Sequence, residues 1–211
     1  MLASAVAFCL FNPVIQAPSP PATIKGCLLR MKELCAKHAL DWNNVFVSGT
    51  DTIKTHYTEK FVALELVGKD NLELRYKLRS VRDAASSSEG KAYAWNDRGI
   101  TVYQVPLKGL DENKITPSKK LSFRSDVTEP TSKYAYVFVL SDDMTSKVKV
   151  TYEDAHDSFK INGVAQTGED SGTYSRPPRD TPSRVLNVTS VEDAREVADL
   201  LKTMIELAKK G

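Results

Sequence analysis

Apolar positions recur with two different periods along the chain, and the change between them organises it. Near the start, Ile24, Cys27, Leu28, Met31, Leu34, Cys35 and His38 fall on one face at helical spacing. This predicts a first helix from about Thr23 to Leu40, slightly weakened by Gly26. At the other end, Ala194, Val197, Ala198, Leu201, Met204, Ile205 and Ala208 form a single stripe. Thr189 and Ser190 offer N-cap oxygens ahead of it, with Glu192 or Asp193 placed to close a capping box. Acids in its first turn and Lys209 and Lys210 in its last complement the helix dipole. A C-terminal amphipathic helix with one face to bury is therefore expected, fed by a short strand at Arg184 to Val188.

From Val45 onward the period drops to two. Phe61 to Val67 and Leu72 to Ser80 read as a hairpin around Gly68-Lys69-Asp70-Asn71. Further strands are predicted at Lys91 to Trp95, Ile100 to Val105, Lys120 to Phe123, Tyr134 to Leu140, Lys147 to Tyr152 and Phe159 to Val164. Asn96-Asp97-Arg98-Gly99 and Asn162-Gly163 carry turn chemistry. Three polar stretches read as linkers: a mobile loop at Asp83 to Gly90, a basic one at Lys108 to Lys119, and Gln166 to Ser183. The last holds almost no apolar side chains and is expected to be disordered or to order on a partner.

Composition adds constraints more than identity. With 41% apolar and 27% charged residues the chain reads as globular, and a net charge of +2 argues against bulk attraction to polyanions. The three cysteines, Cys9, Cys27 and Cys35, make no metal pattern and read as buried free thiols in a reducing compartment. Met1 to Phe11 is apolar but too short to span a bilayer. A signal peptide ending at Ala17 is opposed by the missing basic n-region and by Pro18, so a packing arm followed by a Pro-rich joint is expected. The one sequon, Asn187-Val188-Thr189, falls where strand passes into helix and is expected to stay unused.

Catalytic patterns are scarce. His38 lies on the first helix's apolar side, three residues from Cys35, which suits packing better than a cysteine nucleophile. His156, inside Glu153-Asp154-Ala155-His156-Asp157, superficially suggests a metal but reads as a solvated turn. No catalytic residue, metal site or cofactor is assigned. The candidate binding residues are Lys69, Arg75, Lys77 and Arg79. The last three alternate on one strand face about 7 Å apart, able to line phosphates or simply to face solvent. Tyr76, Tyr93 and Trp95 are candidate base-stacking platforms, but they are expected on the opposite, buried face, which disfavours nucleic acid.

A β-rich body closed by Val185 to Val188 and the helix opening at Ser190-Val191-Glu192-Asp193 resembles the pleckstrin-homology superfamily. Lys69 with Lys77-Leu78-Arg79 looks similar to the basic pattern of its lipid-binding members. The resemblance implies a seven-stranded barrel over about Phe61 to Leu207, plugged by the C-terminal helix, with anionic lipid headgroups as ligands in many members and proteins in others. Val197 stands where that helix usually carries Trp, and Leu72-Glu73-Leu74 reads as strand where a loop is usual. The expected fold is thus α+β: a mostly antiparallel barrel or sandwich closed by a C-terminal helix, with an additional N-terminal helix. Its expected organisation is an apolar arm and joint (1–22), a helix and lead-in (23–60) and a β-rich domain (61–211). The expected role is a non-catalytic interaction or scaffold module of the cytoplasm, peripheral to a membrane or within a large assembly. It would bind a protein partner, or copies of itself, through the arm and loops. Anionic-lipid binding through the first hairpin is the alternative, followed by nucleic-acid binding or a structural place in a viral or other assembly.

Overall fold

The computed structural model describes residues 21, 23–69, 72–119, 135–139, 148–166, 170–176 and 183–211. Helix α1 (Ile24–Ala36) starts where the Thr23 side chain accepts from the Gly26 N–H. It ends at Ala36, earlier than its apolar spacing suggests, because Ala39 and Leu40 already belong to strand β1 (Ala39–Ser48). Strands β2 (Asp51–Val67), β3 (Glu73–Ser88) and β4 (Lys91–Pro106) follow as an antiparallel meander of long strands. Two single 3-10 turns, Leu107–Gly109 and Glu112–Lys114, lead into β5 (Ile115–Lys119). Strands β6 (Ala135–Val139), β7 (Lys149–Ile161), β8 (Val164–Ala165), β9 (Asp170–Arg176) and β10 (Ser183–Val188) precede helix α2 (Val191–Lys210).

These strands form a large sheet in the order β1-β2-β3-β4-β7-β8, with β9 also on β7, and a small sheet β10-β6-β5. The α+β class, the antiparallel pairing and the C-terminal helix are as expected, but the large sheet is open, so the closed barrel is not formed by the described residues. Strand β2 runs without a break through residues 60 and 61, and α1 shares one core with the rest.

That core forms where three layers meet. Cys27, Met31, Leu34 and Cys35 of α1 and the α2 stripe from Ala194 to Ala208 pack with Leu64, Leu74, Tyr76, Leu78 and Val105 of the large sheet. Ile115, Val137, Leu186 and Val188 of the small sheet complete it. Ser190 caps α2 by accepting from the Asp193 N–H, and an Arg30–Glu196 ion pair at 2.6 Å ties the helices together.

The core occupies only one end of the large sheet. From Ser80 round the β3–β4 hairpin to Gly99, no residue is buried, and the same holds for 41–47, 51–58 and 156–161 wherever side chains are described. The long strands therefore project beyond the helices as a bare half-sheet.

This projection accounts for most departures from the sequence reading. Asp83 to Ser88, expected as a mobile loop, continues β3, leaving only Glu89 and Gly90 as the turn. The polar alternation there lacks apolar members because no described element packs on either face. Asn96-Asp97-Arg98-Gly99 is strand, not turn. Gly99 sits opposite a bulge in β7, where Asp154 has φ of 50°, and a Cβ on it would meet the Ala155 Cα at 3.2 Å. His156 and its acidic neighbours accordingly lie inside β7, on alternate faces, instead of in a turn. The basic stretch 108–119 holds a 3-10 turn and β5, and 166–183 contains β9. Asn162-Gly163 is a turn, with φ of 51° and 80°. The apolar arm, Cys9, the proposed strand at Lys120 to Phe123 and most of the joint lie outside the described residues.

Candidate functional site

The basic row lies on the face of β3 away from the core, because Leu74, Tyr76 and Leu78 take the other face. Arg75 and Lys77 are engaged there by carboxylates. The Arg75 Nη1 is 3.3 Å from the Glu65 Oε1, and the Lys77 Nζ is 2.9 and 3.1 Å from the Glu153 carboxylate. Arg79 is exposed and faces Lys60 across the β2–β3 ladder, while Lys69 is exposed in the turn after β2. The four residues follow one long hairpin and do not converge on a cleft. Half of their charge is already balanced.

A buried polar cluster joins the layers where the covered half ends. Glu59 on β2 accepts at Oε1 from the Asn187 side-chain amide of β10, and the same oxygen lies 2.9 Å from His38 Nε2. Its Oε2 accepts from the Tyr57 hydroxyl at 2.7 Å. Tyr76 donates to the Asn187 carbonyl at 3.0 Å and accepts from its N–H at 3.1 Å. His38, Glu59 and Asn187 are all buried, which closes the sequon to glycosylation in the folded chain.

Cys27 and Cys35 are free, buried thiols. Burial, helped by Asp193, pushes the Cys35 thiol up to about 12, and burial also raises Cys27. Burial likewise holds the Tyr76 phenol well above its ordinary range. These groups are neutral and inaccessible, which suits packing and not nucleophilic chemistry. Among the described residues, no three His, Cys, Asp or Glu side chains gather as metal ligands.

The bare half-sheet carries no buried side chain among the described residues. On the face continuous with the core, Ile53, Tyr93, Ile161 and Val164 lie in one cross-strand row, with Trp95 and Phe159 in the next. Tyr93, Trp95 and Phe159 are half-buried and stacked, with ring centroids 5.2 to 6.3 Å apart and planes within 21°. Ile53 and Val164 are 37% and 65% exposed. The opposite face carries an open concavity of about 500 Å³ over Val45, Lys54, His56, Ala85, Ala94 and Lys160.

Sequence alone placed Tyr93 and Trp95 correctly on the face opposite the basic row, but as core residues. Phe159 was missed as their partner because the presumed turn at 153–157 hid its register with Trp95. No family model, curated protein or solved structure matches this chain.

Proposed function

We propose that this chain is a non-catalytic interaction module that holds a protein partner on the uncovered half of its large sheet. One observation carries this reading: the stacked Tyr93, Trp95 and Phe159 rings, with Ile161 and Val164 beside them, form an apolar cluster on a part of the sheet that neither described helix covers. Contiguous apolar surface of this kind marks protein contact sites on soluble domains. Charge favours a protein over a polyanion. Among the described residues the same face carries Asp51, Asp97 and Asp157 against Arg82 and Lys91, with Arg82 already bonded to Asp97, so these residues leave no positive surplus to attract phosphates. A non-catalytic role is in keeping with His38, Glu59 and Cys35 being buried in structural contacts, closed to a substrate.

Comparative pull-down from source-cell extract, wild type against Trp95→Ser/Phe159→Ser, tests the reading. A partner captured by the wild type and lost with the pair supports it. Equal capture by both proteins refutes it, provided circular dichroism shows the variant folded.

Anionic-lipid binding is the second reading, the one implied by the resemblance to the pleckstrin-homology superfamily. Its support is the adjacency of exposed Arg79 and Lys60, with Lys69 on the same hairpin. In that superfamily the mouth of a closed barrel holds the headgroup, whereas here the cations line an open sheet. Flotation with phosphoinositide vesicles, lost on Lys69→Glu with Arg79→Glu, supports it; unchanged flotation closes it.

A further inference from the structure

The outer edge of β1 is a long, unguarded strand edge. Among the described residues no strand pairs with it, and its register with β2 runs from Ala39 to Ser48 without a bulge. Sheet edges are ordinarily blunted by Lys, Pro, bulges or shortness. The other edges here follow that rule. Strand β8 has two residues, β9 pairs across a register shift in β7, β10 shifts register between Arg184 and Leu186, and β5 carries Pro117 and Lys119. Strand β1 has none of these devices over its ten residues, and its one charge, Asp41, is 2.9 Å from His56 Nε2 of the neighbouring strand.

The hydrogen-bonding phase of this edge follows from the ladder. The two-residue Gly49-Thr50 loop makes Ser48 and Asp51 a hydrogen-bonded pair, and Gly49, with φ of 61°, supplies the left-handed first position. The alternation then assigns even-numbered β1 residues to β2, in agreement with the Phe61 N–H donating to the His38 carbonyl. Ala39, Asp41, Asn43, Val45 and Val47 therefore turn their N–H and C=O groups outward, and all five are exposed.

We infer that β1 pairs with β1 of a second copy, antiparallel about a two-fold axis through Asn43. One register engages every outward residue of both strands: Ala39 opposite Val47 of the second copy, Asp41 opposite Val45, and Asn43 opposite Asn43. Each pair joins residues of the same hydrogen-bonding phase, as an antiparallel ladder requires. The pairing sets no like charges against each other, since Asp41 is the strand's only charge and meets Val45. It also flanks Val45 and Val47, otherwise 47% and 62% exposed. A second copy is the favoured occupant because the strand is self-complementary in length, phase and charge, and a two-fold closes the assembly. The large sheets of the two copies become one continuous sheet. This inference does not rest on the aromatic face, which remains open in such a dimer.

Sedimentation equilibrium of the whole chain tests it. Wild type is expected at twice the 23.4 kDa chain mass, whereas Val45→Lys and Asn43→Pro sediment at the chain mass with unchanged circular dichroism. Val164→Lys, on the opposite edge, stays dimeric. Asn43→Cys, lying on the two-fold, is joined to its counterpart by a short bis-maleimide and runs at twice the chain mass on a denaturing gel. A wild type that is monomeric at every concentration overturns the inference. So does a dimer that survives both Val45→Lys and Asn43→Pro, or one in which Asn43→Cys fails to cross-link. Dissociation by Trp95→Ser/Phe159→Ser moves self-association to the aromatic face and equally overturns it, whereas loss of a heterologous partner with the dimer intact leaves it standing.

Discussion

Replacing Glu59 with alanine tests how the covered and bare halves of the molecule are joined. The Glu59 carboxylate lies where α1, β2, β3 and β10 meet, and the His38 and Glu59 side chains are only 1% and 5% exposed. His38 and the Asn187 amide bond to it at one oxygen, and the Tyr57 hydroxyl at the other. A hydrogen bond to a charged group contributes about 1.5–3 kcal/mol, and the half-buried Tyr57 can recover part of its loss from water. The two buried bonds alone then set the cost of Glu59→Ala at about 3–6 kcal/mol. Glu59→Gln keeps an acceptor for His38 and Asn187 and places an N–H donor against the Tyr57 hydroxyl, so its cost is about 1–2 kcal/mol. Urea unfolding followed by circular dichroism measures both. The reasoning is refuted if alanine costs less than about 1 kcal/mol, or if glutamine is as damaging as alanine.

Cys35, raised by burial from 9.0 to about 12, favours the folded chain below its unfolded value and loses that contribution as pH rises toward the folded one. Unfolding midpoints should therefore fall as pH rises from about 9 toward about 12, less steeply in Cys35→Val, with Cys27 and Tyr76 supplying the remaining slope in the same direction. Leu201→Ala, on the fully buried stripe of α2, should cost about 2–5 kcal/mol in the same urea assay; a smaller loss would mean that the helix packs loosely. Gly99→Val should destabilise by about 1–3 kcal/mol, because its Cβ would press on the β7 backbone and not on a side chain able to move aside. Trp95→Ser with Phe159→Ser should cost only about 1–2 kcal/mol, since these half-buried rings contribute a cross-strand pair and not a core; global unfolding of the pair would show that they are core.

What could be read from the chain tracks how each residue is solvated. The α2 stripe and its Ser190 cap were legible because one face is buried from Ala194 to Ala208, which forces the 3.6-residue period into the sequence. The β2–β3 hairpin was legible over 61–80 for the same reason, since Leu74, Tyr76 and Leu78 meet the core. Beyond Ser80 the strands leave the core, and Asp83-Ala84-Ala85-Ser86-Ser87-Ser88 has no apolar alternation to detect. Its pairing is fixed from outside, by β2 and β4 on either side. Gly99 misled in a similar way, serving close approach to a bulge where a turn was expected. The basic row was placed on the right strand face, but Glu65 and Glu153, which balance half of it, come from other strands and had no local signal.

A half-sheet without a core poses a physical problem that the two proposed surfaces answer differently. Among the described residues its backbone groups are paired within the ladder except along the outer edges, of which β1 is the longest, and its side chains gain little from one another. The Trp95–Phe159 stack, the Asp83–Asn96 and Arg82–Asp97 bonds and the His56–Asp41 contact are each small contributions in exposed positions. An extension held so weakly has no internal core and leaves Val45, Val47, Ile53 and Val164 exposed, which is unfavourable unless something covers them. A second copy on the β1 edge satisfies the open backbone groups and widens the sheet without touching the aromatic rings. A protein partner on the aromatic face removes the apolar area without needing the edge. Because the two occupy different parts of the half-sheet, edge pairing would present two copies of the aromatic face on one continuous sheet. A partner with two matching sites would then bind more tightly than one with a single site, by effective concentration and with no new contact.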